Sequence, residues 1–401
     1  MSPQTPQSAT TIYLDQPPSC LQTCPASPNH IVIGTYLLSE TKDAETDSIQ
    51  QTKTGSLQLW HLGPETHTLS LIQKLPLPHA VFDLHFHPQD TSLFAIATSS
   101  ASVSLFRIQP GSEDTPEIVP VWTHAVHEDP SIPALFLAWT PASWLNTAAA
   151  AATDGFAVTF SDGRTSVFGA GSGPCDAVVE VGRFAAREMI EVWFVAVGDY
   201  PSSSSSTEDG TRARFLFTGD DFGGLHTRRF QGEQEDRELL PPLLLDYDDR
   251  ARHHTAGVTA ILPLPVEMED GAPLLLTGSY DESLRVYHAT RRGQVLAEVG
   301  LGGGVWRLQL LRTEQRGSKF LVLASCMHAG SRVVRVTRGG SAEWEIEVLA
   351  EFTEHQSMNY ASDVWKPEGG YDLQGKQDVS ELLCISSSFY DRRLCLWRVN
   401  V

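Results

Sequence analysis

Residues 274–287 read LLLTGSYDESLRVY, and this stretch decides the fold. A short apolar run gives way to the small residues Thr277, Gly278 and Ser279. The chain then turns through Asp281, and a second run alternates Leu284 and Val286 before ending on Tyr287. Alternating apolar positions place one face of a strand against a core. A small-polar break between two such runs is the signature of an antiparallel hairpin.

Weaker copies recur along the chain. They are IVIGTYLL (31–38) with GSLQLWHL (55–62), LFAIATSSASVSLFRI (93–108), FAVTFSDGRTSVFGA (156–170), RFLFTGDDFGGLHTRRF (214–230), KFLVLASCMHAGSRVVRV (319–336) and LLCISSSFYDRRLCLWRV (382–399). With the opening stretch they make seven. Separate strands precede six of them: VFDLHFHP (81–88), ALFLAWTP (134–141), IEVWFVAV (190–197), GVTAILPLP (257–265), GVWRLQLL (304–311) and YASDVWKP (360–367). A repeated unit of this kind cannot bury its apolar face alone, so its neighbours must stack. The pattern predicts an all-β chain, a single-domain seven-bladed WD40 β-propeller over residues 11–401 after a disordered stretch 1–10. TIYLDQPP (11–18) is expected to supply the outer strand of the last blade, closing the ring and removing an open edge. Polar insertions near 41–54, 201–210, 231–252 and 366–380 account for the irregular spacing of the hairpins.

Composition narrows the function. A net charge of −20 argues against unspecific nucleic-acid binding, which needs clustered Lys and Arg. No run approaches the ~18 apolar residues of a membrane span, and the first residues lack the basic start and apolar core of a secretory signal. The six cysteines have no CxxC pair, so zinc is not expected and buried free thiols in a reducing cytosol are. A cytoplasmic monomer without metal or cofactor is expected. Phosphate-loop, nucleophile-elbow, HExxH and dinucleotide motifs are missing from the sequence.

In such a blade the loop entering the innermost strand and the turn between the second and third strands open on one face. In the last three blades these loops carry His253 and His254, Tyr280 and Asp281, the run Gly302-Gly303-Gly304 before Trp306, Cys326 to His328, and His355, Ser357 and Tyr360. The last turn adds Tyr390 and Asp391. They make one mouth with acid–base groups and aromatics. Structural readings stand beside the functional ones. Asp281 and Asp391 occupy positions where a blade bonds an Asp to its turn, His254 and Thr277 being the natural partners in blade five. Trp306 can pack between blades, and the glycines can serve a tight turn. For His328 both readings stand.

Together TGSYDESLRVY (277–287), GGGVWRLQL (302–310), ASCMHAG (324–330), EHQSMNYASDVW (354–365) and SFYDRRLCLW (388–397) resemble the WD40 family of diphthine methylesterases, also called diphthine methyltransferases, of diphthamide biosynthesis. GTY (34–36) and FTGDDFGGL (217–225) support it. The chain departs from that pattern at Ala361, where a Gly is usual, and at Leu310-Leu311-Arg312, where Trp-His-Pro is usual. The resemblance implies hydrolysis of the methyl ester of methylated diphthine, a modified histidine of translation elongation factor 2. It implies that the aromatics Tyr280, Trp306, Tyr360 and Tyr390 hold the trimethylammonium group of that substrate. It further implies His328 or His355 as base, Ser357 as nucleophile or donor, and the amides of Gly303 and Gly304 as an oxyanion site. The rival expectation is a non-catalytic scaffold whose acidic surface recruits a basic protein.

Overall fold

A computed structural model describes residues 2–42, 49–112, 115–142, 144–145, 155–170, 178–201, 212–231, 240–315, 317–340, 343–366 and 380–401. Among them the chain forms strands throughout and no α-helix. Strand β1 (Ser8–Tyr13) belongs to the last blade. Blade one follows with β2 (Pro18–Thr23), β3 (His30–Thr35), β4 (Leu37–Lys42), β5 (Ile49–Gly63) and β6 (Thr68–Leu77). Blade two is β7 (Val81–Phe86), β8 (Leu93–Thr98), β9 (Ser102–Pro110) and β10 (Pro116–Ala125). Blade three is β11 (Ala134–Trp139), β12 (Gly155–Phe160), β13 (Arg164–Ala170) and β14 (Val178–Ala185). Blade four holds β15 (Val192–Pro201), β16 (Arg212–Asp220), β17 (Leu225–Phe230) and β18 (Leu243–Asp248). Blade five holds β19 (Val258–Pro263), β20 (Leu274–Ser279), β21 (Ser283–His288) and β22 (Gln294–Gly300). Blade six is β23 (Arg307–Glu314), β24 (Lys319–Ser325), β25 (Ser331–Arg338) and β26 (Trp344–Phe352). Blade seven is β27 (Ala361–Val364), β28 (Glu381–Ser388) and β29 (Arg393–Asn400), completed by β1.

The seven antiparallel sheets bear out the seven-bladed fold. Burial explains the sequence pattern: all six residues of β20 and of β12 are buried, because inner and middle strands lie between two neighbouring blades. Outer strands such as β14 alternate between partly covered and exposed residues. The core is therefore a ring of inter-blade seams. Leu274, Leu276, Leu284 and Val286 of blade five pack on Phe320, Val322 and Val334 of blade six. Each such side chain contributes about 1.5–3 kcal/mol on burial. Leu21, Ile31 and Ile33 meet Leu383, Ile385, Leu394 and Leu396 where the last blade joins the first.

Closure is as the sequence predicts. β1 pairs antiparallel with β29, setting Thr10 opposite Leu396, Thr11 opposite Cys395 and Ile12 opposite Leu394. The expected disorder of residues 1–10 is corrected, because Gln4 donates its backbone N–H to Leu349 O at 2.8 Å and β1 already starts at Ser8. Parts of two insertions are strands. Residues 41–42 and 49–54 contribute to a two-stranded arm in which Leu37 opposes Thr54 and Lys42 opposes Ile49. The tract 231–252 contains β18, the outer strand of blade four. The tracts 202–210 and 367–379 lie outside the described residues, as does Cys175. The other five cysteines are buried and free, and burial pushes the Cys20 and Cys326 thiols up to about 12.

One local feature positions the mouth. In blades one to five the pairing of the innermost strand with its neighbour slips by one residue near its start, at Ser19, Phe82, Leu135, Trp193 and Thr259. A β-bulge adds an unpaired residue and re-aims its side chain. The slip thus brings Phe82 and Trp193 out of the strand alternation at the end of the channel where the blades' turns gather.

Candidate functional site

Four aromatic rings from four successive blades line one side of the mouth. Trp193 meets Tyr280 edge-on with ring centroids 6.2 Å apart and lies 5.6 Å from Trp306. Tyr280 and Trp306 are 5.9 Å apart, and Trp306 and Tyr360 5.1 Å. The belt continues through Phe389, 5.5 Å from Tyr360, to Tyr36 at 6.0 Å, and Tyr36 meets Phe82 at 5.4 Å. Tyr390 joins edge-on at 5.0 Å from Phe389 but is itself largely exposed. All spacings are within the range of favourable ring pairs, worth about 0.5–1.5 kcal/mol each beyond burial.

The sequence-predicted residues Tyr280, Trp306, Tyr360 and Tyr390 are thus brought into one belt, whereas Trp193, Tyr36, Phe82 and Phe389 were missed. A carboxylate was missed with them. The indole Nε1–H of Trp193 donates to Asp221 Oδ1 at 2.6 Å. Burial, reinforced by the negative charge of Asp221, pushes the Tyr280 phenol well above its ordinary range, so it stays neutral. Burial raises Tyr360 likewise. Neutral rings beside a carboxylate attract a cation through both quadrupole and charge.

The glycine run has a steric cause. Gly302 adopts φ of 81°, a left-handed conformation that side chains resist. A Cβ on Gly303 would lie 2.3 Å from Cys326 O, and one on Gly304 would lie 2.7 Å from Met327 Sδ and 3.3 Å from Tyr280. Close approach lets the 326–330 turn seat against the belt. His328 stands exposed on that turn, which is closed by Cys326 N donating to Gly330 O at 2.7 Å.

His355 and Ser357, implied as base and as nucleophile or donor, each bond to other groups of blade seven. His355 is buried and its Nε2 lies 2.8 Å from Ser386 Oγ, which also accepts the indole N–H of Trp397 at 3.0 Å. The Ser357 hydroxyl donates to Asp391 Oδ1 at 3.1 Å, accepts the amide of Tyr390 at 2.8 Å and lies 2.9 Å from Ser388 Oγ. Blade five repeats the plan: His254 Nε2 lies 2.9 Å from Thr277 Oγ1, and Tyr287 takes the place of Trp397 in the following strand. The amides of Thr255 and Gln356 donate to Asp281 and Asp391 at 2.9 and 3.1 Å. The repetition identifies His355 and Ser357 as parts of the blade's own turn network, and burial drives His355 down to about 4, so it is neutral. Among the described residues no hydrogen bond joins His328, His355 or Ser357 to one another.

Below the belt the channel narrows to a cavity of about 110 Å³, with Gln22, Asp83, His85, Arg307, Tyr360 and Asp363 in its wall. The Arg307 guanidinium lies over the rings of Trp306 and Phe136, 4.7 Å from each centroid, and 3.7 Å from Asp83 Oδ1. His85 Nε2 is 2.9 Å from Asp83 Oδ2, and the Leu137 amide donates to the same oxygen at 3.1 Å. Burial opposes ionisation of Asp83, but His85 and Arg307 beside it hold its carboxyl below the usual range. Asp363 is fixed from three sides, accepting from Gln309 at 2.6 Å and from the amide and hydroxyl of Thr23 at 2.8 and 2.9 Å. No group of three or more His, Cys, Asp or Glu that could hold a metal ion occurs among the described residues.

No protein-family model matches the chain. The chain is similar to the diphthine methyltransferase of Schizosaccharomyces pombe, 32% identical over 145 residues, covering 36% of this chain and 38% of that protein. It is similar to the diphthine methyltransferase of Homo sapiens at 31% over 113 residues, covering 28% of this chain and 23% of that one. The matching stretch therefore spans well under half of each curated relative. Among solved structures, Sqt1 of Chaetomium thermophilum, bound to the N-terminus of the ribosomal protein L10, superposes with a TM-score of 0.56 at 12% identity, covering 97% of this chain and 99% of that chain. Sqt1 of Saccharomyces cerevisiae gives 0.57 at 11% identity, covering both chains fully. At such identity these two establish the propeller fold alone.

Proposed function

We propose that this chain, similar over part of its length to diphthine methyltransferases, acts in diphthamide biosynthesis as a carboxyl methylesterase. Its substrate is methylated diphthine on translation elongation factor 2, and its products are diphthine and methanol. The observation that carries this reading is the aromatic belt with its carboxylate. Trp193, Tyr280, Trp306 and Tyr360 gather beside Asp221. A quaternary ammonium group cannot donate a hydrogen bond, so its recognition relies on ring faces and net charge. Both are present at the mouth where the turns of the blades gather. On this reading it works in the cytoplasm with the translation machinery, as a monomer on a macromolecular substrate.

A second reading is a scaffold that binds a basic protein segment. The propeller of Sqt1, solved with the N-terminus of a ribosomal protein, favours it at the level of fold, as does the net charge of −20. One experiment separates the two. The full chain, incubated with elongation factor 2 carrying the methyl ester, should release methanol and lower the mass of the modified peptide by one methylene. Binding without loss of the ester would leave only the scaffold.

A further inference from the structure

The belt accounts for binding but offers no base to its ligand, and His355 and Ser357 are committed to the fold. The channel wall below it brings Asp83, His85 and Arg307 to one cavity. Asp83 and His85 are two apart on β7 and so project from the same face of that strand into the cavity. Their contacts favour one placement of the proton. Gln22 Oε1 accepts the Phe86 amide at 2.9 Å, which turns the Gln22 NH₂ toward His85 Nδ1, 3.4 Å away. Nδ1 thus faces a donor, which favours the tautomer with its hydrogen on Nε2, the nitrogen 2.9 Å from Asp83 Oδ2 but not aligned with it as a hydrogen bond. At 3.4 Å the Gln22 contact is too long to hold the Nδ1 lone pair firmly, and a water that takes its place meets that lone pair, the position of a general base.

Arg307 supplies the complementary charge. It enters β23 directly after Trp306, and its guanidinium spans the gap between the belt and Asp83. Tyr360 belongs to both belt and cavity wall. A group whose cation sits among the rings thus meets the guanidinium with its adjoining ester. The cavity of about 110 Å³ has room for water beside a small acyl group.

We propose that Asp83, His85 and Arg307 form the hydrolytic centre for a small methyl ester whose cationic neighbour is held in the belt; this rests on the esterase reading above. Water attacks the ester carbonyl carbon, forming the new C–O bond, while His85 Nδ1 takes its proton. Arg307 faces the negative charge that develops on the carbonyl oxygen. The tetrahedral intermediate collapses by breaking the bond to the methoxy oxygen, which leaves with the proton from His85 as methanol. The product acid ionises and its carboxylate pairs with Arg307. Asp83 is a positioning residue that holds the imidazole in this tautomer and stabilises it when protonated.

The test is single-turnover methanol release from ester-bearing elongation factor 2 by the full chain. His85→Gln should slow the step at least ~10²-fold, the usual contribution of a general base, with substrate affinity within about threefold. His85→Ala should regain activity when free imidazole is added. Asp83→Asn, a second variant should the His85 changes lower the melt, should lose at least tenfold in rate at unchanged KM. A double Asp83→Asn, His85→Gln variant should be no slower than His85→Gln alone, because the two act as one unit. Active wild-type protein together with a folded His85→Gln or Asp83→Asn variant at full rate would overturn this centre and leave the esterase reading standing. Wild-type protein that releases no methanol would overturn both.

Discussion

His355 Nε2 lies 2.8 Å from Ser386 Oγ in the buried seam of blade seven, and that bond makes the histidine part of the fold. Trp397 donates to the same hydroxyl, so one substitution disturbs three groups. His355→Ala should lower unfolding free energy by ~1–3 kcal/mol, the range for leaving a buried partner unsatisfied. His328→Ala, on an exposed turn, should stay within about 0.5 kcal/mol of the parent. Chemical denaturation of both variants checks this, and equal effects would refute the distinction.

The same burial sets a pH dependence. Desolvation depresses His355 from 6.5 to about 4 and His254 to about 3, with Arg393 and Arg285 adding repulsion. Below 6.5 the unfolded chain binds protons at these sites that the folded chain refuses, so stability rises with pH there. Their contribution is whole above pH 6.5, falls as pH drops toward 4 for His355 and toward 3 for His254, and is then gone. On the order of 3 kcal/mol is at stake for His355. Denaturation midpoints at pH 7.5, 6, 5 and 4 should decline across this window, and His355→Gln should flatten the decline. A flat wild-type profile between 6.5 and 4 would contradict it.

β1 is the other element on which the fold turns. It covers the edge of β29, where Leu394 and Leu396 are fully buried, and Ser8 Oγ donates to Glu354 at 2.5 Å. Removing residues 2–13 exposes an unpaired strand edge. The truncated chain should melt several degrees lower and self-associate at concentrations where the full chain does not, as light scattering would register. An unchanged melt would mean that β1 does not close the ring energetically.

Much of this was legible in the sequence, for a physical reason. A strand buried on two faces must be apolar and its turn must be small and polar, so the hairpins repeat visibly around Thr277–Gly278–Ser279 and its copies. β2 escaped notice because PSCLQT offers a proline, two hydroxyls and no aromatic. β18 was hidden because its leucines sit in an acidic, proline-broken tract. Tyr280, Trp306 and Tyr360 were legible as site residues because they fall in loops whose face the topology dictates. Trp193 and Phe82 were not, because a one-residue slip in pairing leaves no mark on composition. Asp83 and His85 read as ordinary strand alternation, and only the closed ring shows that their face is the channel. The structural role read for His254 in blade five applies equally to His355, but its partners Ser386 and Trp397 are distant in sequence.

The belt makes a prediction independent of turnover. Tetramethylammonium, with neither ester nor protein attached, should bind the mouth and perturb the emission of Trp193 and Trp306, whose rings are 5.6 Å apart. A cation over a ring contributes about 0.5–2 kcal/mol, so Trp306→Ala should weaken binding by roughly 2- to 30-fold. Asp221→Asn should weaken it less, and more at low salt than at high, since a half-exposed charge is screened. The neutral isostere neopentane, which keeps the shape without the charge, should bind more weakly than the cation to the parent chain. Equal affinity for cation and isostere would show that the belt is a hydrophobic surface and would remove the charge from the recognition of any substrate here.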